Sequence, residues 1–219
     1  MVENLPRPIL SYVNQQITGY KANPDFELYD ATVRLVFNQW KANTDPRQVL
    51  AKVVVLNRLY STNVYDVLAL KRRILEVDHI DDKLSSGDHG LVEEIARVTV
   101  GGKPRFFFSF ATKYCAWHEP DKFQMFDSYV EWILWEYKKD FGFAGFGRTE
   151  LRNYERYVAI LKKFRSFFCL PESELPPKLL DKFLWIEGQN QWQNRKQPSD
   201  FPEPVDDSKP THHLHDGIG

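Results

Sequence analysis

RFFFSFATKYCAWHEPDKFQMFDSYVEWILWEY, residues 105–137, is the stretch around which the rest of the chain is organised. Two runs of large apolar residues, Arg105 to Trp117 and Ser128 to Tyr137, flank His118-Glu119-Pro120-Asp121, and this proline-marked break predicts two helices joined by a short connection. In the first run Phe106, Phe107, Phe108, Phe110, Ala111, Tyr114, Cys115, Ala116 and Trp117 fall on every side of a helix, which places that helix in the middle of a domain. Lys113 lies within it. An ammonium there either reaches solvent along its stem or accepts a lowered pKa, and a lysine partly neutral near pH 7 can act as nucleophile or base. The start of the second helix has two readings. Ser128 to Glu131 fits a capping box, which frees Asp127 to face a cleft between the helices; alternatively Asp127 is itself the N-cap, one of the commonest uses of the residue.

The chain of 219 residues, 42% hydrophobic and 15% aromatic, can bury a substantial core, as one all-α domain or as two lobes sharing an interface. The expected division is a helical domain over 1–188, with the central pair at 105–140, and a polar tail over 189–219 whose composition predicts disorder. No apolar run approaches a bilayer span, and MVENLPRPIL has neither a basic n-region nor an apolar h-region, so the expectation is a soluble, cytoplasmic protein with no membrane partner. Cys115 and Cys169 lie on aromatic-rich helices and suit buried thiols in a reducing compartment. The net charge of −1 is uneven: residues 198–219 carry five acidic residues against Lys209, leaving 28 basic and 25 acidic residues elsewhere. That balance permits nucleic-acid binding without announcing it.

In order, helices are predicted at Pro8–Thr18, Glu27–Lys41, from Pro46 behind an Asp45 cap to Tyr60, at Val64–Val77, Leu91–Val98, Thr149–Phe168 and Lys178–Gly188, with a turn region over Asp81–Gly90 and no strand. Lys71-Arg72-Arg73 reads as a solvated face before a phosphate contact. Gly101-Gly102, ahead of the central pair, is a tight turn or a pair of amides offered to a phosphate. In the loop at 141–147 glycines alternate with Phe141, Phe143 and Phe146: either a flexible rim on which a base can stack, or a connection folded back into the core.

Cys115 and His118 have the spacing of two metal ligands on one helix face, but no second pair accompanies them, and His212, His213 and His215 fall in the tail; no metal is expected. The chain contains no phosphate-loop, nucleophile-elbow or dinucleotide fingerprint, and no cofactor is expected.

Ser109-Phe110-Ala111-Thr112-Lys113 followed by Phe126-Asp127-Ser128-Tyr129-Val130 resembles the segment of helix-hairpin-helix base-excision DNA glycosylases in which a helix precedes an apolar-Asp-x-x-Val element. Residues 56–63 and the helix after them are similar in position to that superfamily's segment for the DNA minor groove, and the likeness covers roughly residues 46–140. It implies a two-lobed all-helical fold that flips a modified or damaged base of double-stranded DNA into a pocket, with Asp127 stabilising the cationic sugar or activating the nucleophile and Lys113 as auxiliary. The family's Schiff-base lysine falls by count near Ser109, one turn before Lys113 on the same face. The implied base pocket comprises Ser109, Tyr60, Tyr114, Trp117 and Phe143, and the implied DNA-backbone contacts are Gly101, Gly102, Lys103, Arg105 and Arg148. The family's Gly-x-Gly hairpin directly precedes the catalytic helix; here Gly101-Gly102 lies farther upstream. The alternative is a non-catalytic DNA- or protein-binding module of the same fold, serving a nuclease or defence partner.

Overall fold

Short polar side chains mark where helices begin. The computed structural model describes residues 4–195, and within them α1 spans Leu10–Lys21, α2 Pro24–Gln39, α3 Pro46–Leu59 and α4 Val67–Leu75. Asn23, Asp45 and Asp66 accept the N–H groups of Asp25, Arg47 and Ala69 at 3.0, 2.8 and 2.8 Å, and Pro24 and Pro46 occupy the first turn, where a missing N–H costs nothing. Helices α5 (Ile80–Ser86) and α6 (Gly90–Ala96) follow, then strands β1 (Arg97–Val100) and β2 (Lys103–Phe106), then α7 (Phe108–His118), α8 (Ser128–Phe141), α9 (Tyr154–Phe168) and α10 (Pro177–Arg195). The protein is mostly helical, as the apolar periodicity predicts. Among the described residues no helix is long and apolar enough to cross a membrane.

Every residue of α7 from Phe108 to Trp117 is buried, so the helix that is apolar on all sides is the centre of the core. Helices α2, α3 and α6 pack against it, α8 lies along α10, and α10 also meets α1, so the early and late helices close on one another.

The structure departs from the sequence reading at four places and decides between its two readings of the loop at 141–147. Residues 97–106 form an antiparallel hairpin, with Arg97 opposite Phe106 and Val100 opposite Lys103. The β-branched Val98, Thr99 and Val100 favour extension, and Gly101 and Gly102 supply the two positive φ values, 56° and 76°, that a two-residue hairpin turn needs. Arg105 and Phe106 are therefore strand residues. The turn region expected at 81–90 contains α5, held by buried Ile80 and Leu84 and closed by Gly87 at φ 74°. The helix expected over 149–168 is interrupted: a 3₁₀ turn at Arg148–Arg152 ends at Asn153, which caps α9 through the N–H of Arg156 at 3.0 Å. The loop at 141–147 folds inward, with Phe143 packed 5.2 Å from Phe164 and Phe146 6.1 Å from Trp135 between ring centres. Finally, α10 continues through Gly188 to Arg195. The expected tail over 189–219 thus begins as helix; the acidic run and the His212–His215 cluster lie outside the described residues.

Gly188 ends nothing because it marks a crossing. A Cβ there would sit 2.6 Å from the carbonyl oxygen of Tyr129, in the first turn of α8. Because the obstacle is backbone, the helices must separate to accept it, and Gly188→Ala is expected to destabilise by about 2–3 kcal/mol, in the range of other overpacked sites. Gly19, inside α1 with nothing within 4 Å of an added Cβ, is the control: Gly19→Ala gains about 0.5–1 kcal/mol. Urea unfolding of the two variants checks both signs.

Candidate functional site

The site begins with three polar side chains on an otherwise apolar helix. Ser109, Thr112 and Lys113 stand at helical spacing on α7 and grip the backbone of Phe126 in the extended connection to α8. The Ser109 hydroxyl and the Lys113 ammonium donate to the Phe126 carbonyl at 3.1 and 2.9 Å, Lys113 also donates to Ser109 Oγ at 2.7 Å, and Phe126 N–H donates to Thr112 Oγ1 at 3.1 Å. The preceding amides are tied as firmly: Gln124 N–H donates to the Tyr154 hydroxyl at 2.6 Å and Met125 N–H to Asp181 Oδ2 at 2.7 Å. Asp127 is the next residue on this fixed strand.

Asp127 performs both parts that the sequence reading kept as alternatives. Its Oδ1 accepts the N–H groups of Tyr129 and Val130, each at 3.0 Å, which makes it the N-cap of α8. Its Oδ2 lies 3.6 Å from Lys113 Nζ. Ser128 is consequently the first helical residue rather than the cap, and Glu131, the reciprocal partner of a capping box, is buried against Arg148 and Arg152 at 3.3 and 3.2 Å. The Asp127 side chain is 20% exposed and that of Lys113 only 4%, so the carboxylate is the accessible member of the pair.

Both open onto a cavity of about 480 Å³, a volume in the range of small-molecule sites. Its walls are rings: Tyr20 stacks on Phe26 at 4.9 Å, Trp185 stands edge-on to both, and Tyr60 meets Trp117 at 6.0 Å. Asp30, nearly buried, accepts the Tyr60 hydroxyl at 2.6 Å and the Lys182 ammonium at 2.7 Å, fixing one wall to α10. Burial and the Asp30 charge both push the Tyr60 hydroxyl well above the ordinary tyrosine range, so it stays a neutral donor. Lys178 Nζ sits 4.0 Å over the Trp117 ring, and burial lowers its pKa. Asp181 also lines the cavity; desolvation, opposed by the Met125 N–H and by Arg165, raises its carboxyl well above the usual carboxylate range.

Of the residues singled out from sequence, the structure gathers Asp127, Lys113, Ser109, Tyr60 and Trp117 around this one cavity. The others lie elsewhere. Tyr114 is fully buried on another face of α7, its hydroxyl donating to Asn43, and Phe143 packs in the core against Phe164. Gly101, Gly102 and Lys103 form the exposed hairpin tip, Arg105 lies on β2, and Arg148 faces Glu131; none of these five lines the cavity. The residues that sequence reasoning missed come chiefly from α10: Lys178, Asp181, Lys182, Trp185 and Gln189 recur at helical spacing and line one side of the cavity. That stripe was visible as spacing, but a reading for apolar positions passes over it.

A family profile described as the HI_0787_N N-terminal domain matches residues 12–122, just over half of the chain, and the chain belongs to that family. An uncharacterized protein of Haemophilus influenzae is 39% identical over 140 residues, 64% of this chain. The chain spans 66% of that relative's length, just under two thirds. No solved structure matches the chain. The profile covers Ser109, Lys113 and Trp117 and stops short of Asp127 and α10.

Behind α7 lies a second polar cluster. Fully buried Lys52 donates to the carbonyls of Trp40 and Ala42, each at 3.0 Å, and to Asn43 Oδ1 at 2.6 Å, and its Nζ is 3.4 Å from His118 Nε2. Desolvation lowers the Lys52 pKa to about 8, and burial together with the Lys52 charge lowers that of His118 to about 3. His118 is thus held neutral beside an ammonium, and Cys115 is a buried thiol whose pKa burial raises. Among the described residues no group of three or more His, Cys, Asp or Glu is placed to hold a metal. The unfolded chain binds a proton at His118 near pH 6.5 and the folded chain only near 3, so the stability this residue permits is full above 6.5 and falls as the pH drops through that window. The slope reaches at most about 1.4 kcal/mol per pH unit. Thermal unfolding from pH 7 to 4 is expected to show this loss in the wild type and a flatter dependence in His118→Phe, which keeps a ring against Phe37 and Tyr114.

Proposed function

We propose that this HI_0787_N-family protein is a DNA glycosylase-like enzyme, which receives a modified or damaged base turned out of double-stranded DNA and cleaves its N-glycosidic bond. The observation that carries the reading is Asp127: a partly exposed carboxylate, fixed by two amides and facing an ammonium, in a cavity walled by aromatic rings. Breaking a glycosidic bond develops positive charge on the sugar, and a preorganised carboxylate stabilises that charge without having to reorganise. Rings such as those of Tyr60, Trp117 and Trp185 suit a flipped base, which every base can satisfy through its π-face. The resemblance between residues 109–130 and the helix-hairpin-helix glycosylases supports the same assignment.

Lys113 takes an auxiliary role. Its ammonium, held by Ser109 and the Phe126 carbonyl, keeps the Asp127 carboxylate in place; acting as a Schiff-base nucleophile requires it first to give a proton to that neighbour. Lys178, beside the cavity, takes over the phosphate contact expected of the hairpin tip and Arg148, while Lys182 stays paired with Asp30. A binding module without chemistry is the second reading, favoured by one feature: Oδ1 of Asp127 is already engaged as a helix cap.

Asp127→Asn separates the two, because asparagine caps a helix as well as aspartate does. Base release from genomic DNAs carrying different modifications is expected to fall by about 10³-fold while the melting temperature changes little. Unchanged release removes the assignment. For lyase chemistry, a borohydride-trapped complex with abasic DNA should form in the wild type and vanish in Lys113→Ala.

A further inference from the structure

We propose that Asp181 is a second catalytic group of this cavity, the general acid that protonates the departing base, and that the substrate is accordingly a base that leaves poorly as an anion. The inference rests on the glycosidic reading above and adds to it a residue outside the family match. Asp181 is 5% exposed and lines the same cavity as Asp127 and Lys113. Its Oδ2 accepts the Met125 N–H at 2.7 Å, while among the described residues Oδ1 meets no hydrogen-bond partner. Asp181 belongs to the cavity wall and the protein leaves one of its carboxyl oxygens unpaired; buried polar atoms in native proteins are nearly always paired, so that oxygen suits a partner supplied by a ligand.

The two carboxyl groups of the site have opposite surroundings. Asp127 accepts two amides and faces an ammonium, an environment for a negative charge. Asp181 is desolvated, with the Asp127 charge nearby, and its proton is retained far above the usual carboxylate range. The groups that face it are Lys113 from α7, the Met125 N–H from the connection, Asp127 at the start of α8, and Arg165, Tyr154 and Tyr157 from α9. One carboxyl group held by amides and an ammonium, beside another that is desolvated, divides charge stabilisation from acid work.

The step balances as follows. The bond between C1′ and the base nitrogen breaks and its electron pair goes to the base. The Asp181 proton passes to the base, which departs neutral. Water adds its oxygen to C1′ and yields a proton to Asp127, and exchange with solvent returns both carboxyl groups to their starting states.

Asp181→Asn tests this cleanly, since an amide oxygen still accepts the Met125 N–H and only the acidic proton is lost. Single-turnover base release by the full chain is measured on duplexes carrying hypoxanthine or uracil, the poorer leaving groups, and on duplexes carrying 7-methylguanine or 5-fluorouracil, which are already activated. Release of the unactivated bases is expected to fall by about 100-fold or more and that of their activated counterparts by less than about fivefold, general acids contributing roughly 10²–10⁴. The decline of the wild-type rate at high pH should disappear in the variant. Equal losses on both classes, or no loss, overturn the role of Asp181 and leave the base-excision reading standing. No release from any duplex by the wild type overturns both. Unchanged melting temperature and hydrogen-exchange protection at Met125 establish that the variant keeps its fold.

Discussion

The arrangement depends on an ammonium buried between two helices. Lys113 projects from the centre of α7 and meets Ser109 Oγ, the Phe126 carbonyl and the Asp127 carboxylate, all within 3.6 Å. A charge in a core is tolerated only when such partners surround it, because an isolated one costs several kcal/mol or more. The cation therefore fixes the geometry of everything around it: the connection lies where its carbonyl can accept, and α8 begins where its capping carboxylate can face Nζ. The helix that apolar packing makes the middle of the fold thus places the Asp127 carboxylate at the edge of a cavity.

Two further constraints shape that cavity. The crossing at Gly188 brings α10 against the first turn of α8, so that α10 carries Lys178, Asp181, Lys182 and Trp185 to the wall of the cavity. The Asp30 carboxylate joins Tyr60, at the end of α3, to Lys182 of α10. The cavity is thus lined by elements from both ends of the chain.

Much of the fold was legible in local chemistry. The aromatic run at 106–117 identified the central helix because side chains apolar on every face leave a helix nowhere to go but inside, and Asp45-Pro46 marked α3 to the residue. Other features depend on partners distant in sequence. Gly188 looks like a helix end until Tyr129 is placed against it, Asn153 breaks a helix whose periodicity continues unbroken, and the strands at 97–106 are too short for periodicity to reveal. The site divides in the same way. Asp127, Lys113 and Ser109 could be read from one stretch, whereas Asp181 and Lys178 become part of it only through the packing of α10, and Tyr114 and Phe143 left it because nothing in their spacing tells which side of a buried helix or loop faces a cavity.

The central claim is that the Asp127 carboxylate is positioned for positive charge developing on a sugar. The most direct measurement is the affinity of the protein for duplex DNA containing a pyrrolidine abasic mimic, cationic at the sugar, relative to the uncharged tetrahydrofuran mimic. The account predicts binding tighter by about 10²-fold or more for the cationic mimic, as for a transition-state analogue, and loss of that preference in Asp127→Asn. Equal affinity for the two mimics in the wild-type protein would contradict it.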